Sequence, residues 1–271
     1  MKLVLIGGGS YGVDENCPYN LKEIDEKIFS LANKKCPRLL FIGFNKKSDY
    51  YYSFIKKNFM KFGTQCEYLR FDEFNNQKTV DCKFKRADIL YLGGGNTLFF
   101  MSKIKKFGLD IKITKFAEQG KVVAGISAGA IICAYAGCSD SRNYVDSEKC
   151  TCVKGLGLMD LIFAPHYSSS KRPKDMPRFM NKNKNKVAVC VDECGALVID
   201  NDKYEFVKSQ EGSCVYNCYY SNGEFIHEKL KETGFIFELI KKQWLTIIFL
   251  YDKIWLCVKC CEGDLVVYRK V

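Results

Sequence analysis

The chain of 271 residues is 47% hydrophobic and 27% charged with only five prolines, which excludes a long disordered or fibrous protein and leaves room for a sizeable core. Its net charge of +11 is spread along the chain on 35 lysines and seven arginines, which argues against a nucleic-acid interface, where arginine forks gather in a patch. No basic and apolar signal peptide opens MKLVLIGGG, and the longest apolar stretch, WLTIIFLYDKIWLCV at 244–258, is broken by Asp252 and Lys253 short of the ~20 residues that cross a bilayer. The expectation is a cytoplasmic protein off the membrane. Its 15 cysteines are expected to be reduced and mostly buried, without zinc-site spacing apart from a single C-x2-C in CVKCC at 257–261.

Short apolar runs ending in glycine alternate with segments of helical period, the signature of βα units around a mostly parallel sheet with helices on both faces. LVLIGGG at 3–9 reads as the first strand. In the following helix Leu21, Ile24 and Ile28 share one face while Lys22, Glu23 and Glu26 face water. RLLFIGF at 38–44 is the next strand, YYYSFIKKNFMKF at 50–62 its helix, and CEYLRF at 66–71 another strand. ADILYLGGGNT at 87–97 runs a buried strand into three glycines, with Asn96 and Thr97 placed to cap the helix that follows. A second helix leads to the strand KVVAGI, and AGAIICAYA after it reads as an apolar helix. Beyond a loop rich in Cys, Ser and Asp come LIFAPHY, a basic helix, and short strands with turn signals such as Asn222-Gly223. These strands are expected to be antiparallel and to extend one sheet's edge.

Within VVAGISAGAI, Gly125, Ser127 and Gly129 form G-x-S-x-G between a strand and a helix, the context in which that motif presents a nucleophilic serine. The competing reading is a serine that only caps the helix. The Ala128 N–H would face a developing oxyanion, with Gly94 and Gly95 of the GGG loop as a second backbone source. Serine needs a base, and of the two histidines His166, straight after an apolar run and Pro165, is the better placed. The orienting carboxylate is taken as Asp140 in CSDSR, held by its flanking serines, with Asp146, Asp192 and Glu193 as alternatives.

The ordered set LVLIGGG, KEIDEKI, ADILYLGGGNT, VVAGISAGAI, CSDSR, VKGLGL, PHY, GALVID and YYSNGEFI resembles the peptidase E family of serine peptidases over residues 1–230. That resemblance implies an α/β class I glutamine-amidotransferase-like (flavodoxin-like) fold with Ser127 as nucleophile, His166 as base and Asp140 as acid. Gly94, Gly95 and Ala128 would lie around the oxyanion. It further implies hydrolysis of dipeptides with amino-terminal aspartate, without metal or cofactor. A cation is then needed for the substrate's side chain, and Arg172 is the candidate. The alternatives on the same fold are an esterase, a β-aspartyl peptidase or a non-catalytic small-molecule binder. Residues 231–271 read as a C-terminal extension without counterpart in the family, and a homodimer stays open.

Overall fold

The computed structural model describes residues 1–12, 16–43, 48–142 and 150–240, with the backbone alone of 13–14, 255–259 and 265–269. In chain order, β1 (Lys2–Ile6) leads through a hairpin, β2 (Tyr11–Asp14) and β3 (Cys17–Tyr19), into α1 (Lys22–Leu31), β4 (Arg38–Ile42), α2 (Ser48–Met60) and β5 (Gln65–Leu69). There follow α3 (Gln77–Arg86), β6 (Ile89–Leu92), α4 (Thr97–Lys106), α5 (Leu109–Glu118), β7 (Val122–Ile126) and α6 (Ala128–Cys133). The next elements are β8 (Ala134–Ser139), β9 (Thr151–Lys154), β10 (Met159–Ala164), α7 (Arg172–Asn181), β11 (Ala188–Val191), β12 (Gly195–Asp200) and β13 (Lys203–Lys208). The chain continues through β14 (Val215–Ser221), β15 (Glu224–Lys229), β16 (Thr233–Phe235) and α8 (Ile236–Ile240), and β17 (Trp255–Lys259) pairs with β18 (Leu265–Arg269).

The α/β architecture expected from the sequence is present, with its strands in two main sheets. The first has the order β16-β13-β12-β1-β7-β6-β4-β5, and β1, β7, β6, β4 and β5 within it run parallel. The second has the order β15-β14-β11-β10-β8-β9, parallel only through β11, β10 and β8. The later strands therefore do not all extend one edge. β12, β13 and β16 join the first sheet, while β11, β14 and β15 join the second. At Asn222 and Gly223 φ is 51° and 84°, so the β14–β15 turn takes two consecutive left-handed residues, as the Asn-Gly pair favours.

Alternation along the strands sorts the core into layers. Val4 and Ile6 of β1 pack with Ile24 and Ile28 of α1 and with Ile55 and Phe59 of α2 on one face of the first sheet. Leu3 and Leu5 face the other way, into a layer that holds Phe100 of α4, Phe116 of α5, Ile131 of α6 and Phe163 and Val189 of the second sheet. On the second sheet's far face Ile162 and Ala188 meet Met176, Phe179 and Met180 of α7. Leu230, Ile236 and Leu239 are buried in the central layer, and β16 pairs with β13, so the beginning of the 231–271 segment packs on the main fold. The helix read as AGAIICAYA ends at Cys133. The chain then continues directly into β8, whose Gly137 and Ala136 sit beside β10 where a helix would not fit.

The thiols depart from the expectation. Antiparallel pairing of β8 with β9 opposes Cys138 to Cys152 and Ser139 to Thr151, which carries Cys138 and Cys150 to a Cα separation of 5.2 Å, and the two form a disulfide. Of the described free cysteines Cys17, Cys36, Cys82 and Cys152 are exposed. The C-x2-C of CVKCC and most of the 244–258 stretch lie outside the described residues. Among the described residues no helix is long and apolar enough to cross a membrane, and no three His, Cys, Asp or Glu side chains cluster as metal ligands.

Candidate active site

Strand β7 delivers Ser127 at the carboxyl edge of the first sheet, where the backbone turns into α6 with φ 54° and ψ −110° at the serine. A non-glycine residue held there stores of order 1–3 kcal/mol, and the surrounding contacts must over-determine it. They do so through glycine. A Cβ at Gly129 would meet Leu92 O at 2.1 Å, and one at Gly125 would meet the Gly129 carbonyl at 2.4 Å, so strand and helix approach more closely than side chains allow. The Ser127 N–H donates to Ile6 O at 3.0 Å, fixing the turn to β1. Although Ser127 occupies the N-cap position of α6, its side chain makes no capping hydrogen bond. Instead its Oγ lies 2.8 Å from His166 Nε2.

His166 follows β10 of the second sheet and also has a left-handed backbone, φ 50°. Its N–H donates to Gly7 O at 3.1 Å, while Cys194 N–H donates to Gly8 O at 2.9 Å, so the end of β1 stitches the His166 loop to the turn between β11 and β12. That turn carries Glu193, and Glu193 Oε1 contacts His166 Nδ1. Ser169 Oγ reaches the same carboxylate at 3.4 Å, and Ser213 Oγ donates to the Glu193 carbonyl at 2.7 Å. Gly8 lies directly beneath the pair: a Cβ there would stand 2.0 Å from Glu193 Oε2 and 2.5 Å from His166 Nδ1.

The structure thus brings Ser127, His166 and Glu193 together and leaves Asp140, the acid expected from the sequence, away from the imidazole. β8 ends at Ser139, and past it Asp140 faces solvent between two inward serines. The two serines are buried, and Ser141 Oγ accepts from Thr97 N–H at 2.9 Å and bonds Ser139 Oγ at 2.7 Å. They clamp the start of α4 and do not hold Asp140, whose side chain is 71% exposed and lies 3.7 Å from Arg172 Nη2. Asp192 is committed elsewhere, accepting from Ser168 N–H at 2.9 Å and Cys214 N–H at 3.0 Å, and Asp146 lies outside the described residues. Arg172 is also not where the sequence reading needs it. It is buried against the Cys138 carbonyl, its pKa drawn down by desolvation, and it does not line the cavity at the serine.

That cavity measures about 210 Å³ and includes Gly94, Gly95, Ser127 and His166 in its wall. A Cβ at Gly94 would be 3.7 Å from Ser127 Cβ, so the GGG backbone passes beside the nucleophile as expected. As the first residue of α6, Ala128 has an N–H that no carbonyl of its own helix can accept. Tyr11, Phe41, Ser48, Tyr51 and Ile55 also line it, a set that the sequence reading missed. Tyr11 belongs to the hairpin after β1, and its hydroxyl bonds that of Tyr91 at 2.8 Å; burial pushes both phenols well above their ordinary pKa, so the pair stays neutral. The GGGS run at 7–10 holds a signal for Glu193, since glycines after a strand imply close approach, here of the Val191–Asp192 backbone to Gly7 and of the histidine–glutamate pair to Gly8.

An elbow serine on a parallel sheet, reached by an imidazole from a neighbouring sheet, defines a serine hydrolase. The chain belongs to peptidase family S51, whose family model matches residues 3–207. It is 29% identical over 219 residues to the uncharacterized peptidase YgaJ of Bacillus subtilis strain 168, covering 79% of this chain and 90% of that protein. A match to the uncharacterized peptidase Lin0382 of Listeria innocua is 35% identical over 94 residues, 33% of this chain and 44% of that protein. The fold is shared with a crystal structure of a peptidase from an acI-B1 Actinobacterium, with TM-score 0.64 and 17% identity over 86% of this chain and 96% of that one. It is shared too with that of a putative peptidase E protein from Listeria monocytogenes EGD-e, with TM-score 0.52 and 19% identity over 85% and 98% of the two chains.

Proposed function

We propose that the chain is a serine peptidase of short peptides, with Ser127 as nucleophile, His166 as general base and acid, and Glu193 as the group that orients the imidazole. The observation that carries this reading is Ser127 Oγ, uncommitted to the helix it begins, at 2.8 Å from His166 Nε2. With the Nδ1 proton held toward Glu193, Nε2 accepts the hydroxyl proton as Oγ bonds to the peptide carbonyl carbon. The resulting oxyanion is met by the Ala128 N–H at the helix start and by the Gly94–Gly95 backbone. When the C–N bond breaks, His166 returns the proton to the leaving amine. Water, deprotonated by the same nitrogen, then attacks the acyl-enzyme, releasing the carboxylic acid and restoring Ser127.

Aspartate as the amino-terminal residue is the finer form of this reading, and its support is the family resemblance. A serine-directed fluorophosphonate and a dipeptide panel test the mechanism: wild type should be labelled and should turn over peptides, and Ser127→Ala should do neither while keeping its fold. Equal hydrolysis by Ser127→Ala would overturn it. Turnover of esters without turnover of peptides would favour an esterase.

A further inference from the structure

Resting on the peptidase reading above, we infer that Asp192 is a positioning residue for the His166–Glu193 pair, holding the loop that carries the histidine against the turn that carries the glutamate. The run CVDECG places two carboxylates side by side, and the fold gives them different partners. Glu193 reaches the imidazole. Asp192, buried at the end of β11, is occupied by backbone: Oδ1 accepts from Ser168 N–H at 2.9 Å and Oδ2 from Cys214 N–H at 3.0 Å. Consecutive residues thus hold the His166 loop at two points, the ring of His166 and the backbone of Ser168.

The two donors explain why a carboxylate stands there. It offers one oxygen to each N–H and carries no hydrogen to oppose them, whereas an amide would accept at one end and set N–H against N–H at the other. Bonds to an ionised acceptor are also about twice as strong as neutral ones. Around them Asp192 N–H donates to Cys214 O at 3.1 Å and Tyr167 N–H to Val191 O at 3.2 Å, so the His166 loop, the end of β11 and the start of β14 meet at this residue. Little slack remains at the meeting point. A Cβ at Gly7 would stand 2.2 Å from Asp192 O, and Ser169, next to the anchored Ser168, reaches Glu193 Oε1 at 3.4 Å. A shift of the loop at Ser168 would therefore be passed to His166 Nε2, 2.8 Å from Ser127 Oγ, where about 1 Å of misplacement costs on the order of a hundredfold in rate.

The test reads position and turnover separately. The Nδ1–H proton of His166, assigned by its loss in His166→Gln, is followed by NMR in the full chain, and kcat and KM are measured on a dipeptide panel. Wild type is expected to show a downfield resonance that marks the bond to Glu193. In Asp192→Asn that resonance should move upfield and broaden, while kcat falls about ten- to a hundredfold and KM changes by less than about threefold. Asp192→Ala, with neither acceptor, should lose more. Asp175→Asn removes an equally buried carboxylate, bonded to Cys150 N–H on α7, and should leave both the resonance and kcat as in wild type. An unchanged resonance and kcat in Asp192→Asn, or an equal loss in Asp175→Asn, would overturn the inference while leaving the serine mechanism standing. A resonance that responds to Asp192 with no peptide turnover by wild type would instead sink the peptidase reading and leave the positioning intact.

Discussion

Replacing Glu193 by Gln tests the assignment of the acid, because the structure and the sequence point to different residues. The amide keeps the size of the side chain but presents Nδ1 of His166 with a neutral group that either donates or accepts. The imidazole is therefore no longer held with its proton on Nδ1, and the imidazolium that forms during attack loses its counter-charge. In a fully buried triad the equivalent change costs about 10⁴-fold. Here the His166 and Glu193 side chains are 30% and 40% exposed, so water screens part of the charge and the expected loss is about 10²–10³-fold. The loss should fall in kcat with KM little changed, since Glu193 acts through His166 rather than on substrate. Asp140→Asn serves as the control: its carboxylate is 71% exposed and pairs at 3.7 Å with Arg172, an interaction of about 1 kcal/mol or less, so kcat should change by less than about fivefold. Steady-state kinetics on one turned-over dipeptide, with Glu193→Asp for partial rescue, decides the matter. A larger loss in Asp140→Asn than in Glu193→Gln would refute the geometric assignment.

Gly8→Ala should reduce kcat by about a hundredfold, because its methyl group would stand 2.0 Å from Glu193 Oε2 and would move the histidine–glutamate pair; unchanged turnover would show that the pair relaxes without cost. Asp25, fully buried on α1 with Tyr19 donating to Oδ2 at 2.7 Å, has its pKa pushed up to about 8 by burial. The unfolded chain releases this proton near pH ~4 and the folded chain keeps it until about 8, so folding stability should fall between those pH values and level off above them. Chemical denaturation near pH 5 and above pH 8 should show wild type losing on the order of a few kcal/mol more than Asp25→Asn over that span. Parallel pH profiles for the two proteins would show that Asp25 ionises normally.

Most of the framework was legible because it depends on local pattern. Apolar runs closed by glycine marked β1, β4, β6 and β7, and the G-x-S-x-G spacing placed Ser127 on the strand-to-helix turn that the structure shows. Other features depend on what a segment meets. α3 is strongly polar and lacks the apolar density that marks α1, and the β2–β3 hairpin is short with a bulged register, so neither announces itself. The AYA at the end of AGAIICAYA reads as helix from its small residues, and only the close approach of β10, with a Gly137 Cβ that would meet Phe163 O at 2.8 Å, requires a strand there. The disulfide partner of Cys138 follows from β8–β9 register, which the spacing of cysteines does not reveal.

Glu193 rather than Asp140 lies beside the imidazole for a reason that also explains how these side chains are assembled. Ser127 comes from the first sheet, His166 from the second, and Glu193 from the connection by which the chain returns from β11 in the second sheet to β12 in the first. No segment near Ser127 in sequence encodes that return. It is imposed by β12 pairing antiparallel to β1, which puts Ala196 opposite Ile6 and so brings Glu193 over the glycines that follow β1. Gly7 and Gly8 then accept from His166 and Cys194 and leave room for both side chains. The serine can be positioned by one sheet alone, whereas the histidine and the glutamate need the two sheets in register, with GGG at 7–9 as the seam between them.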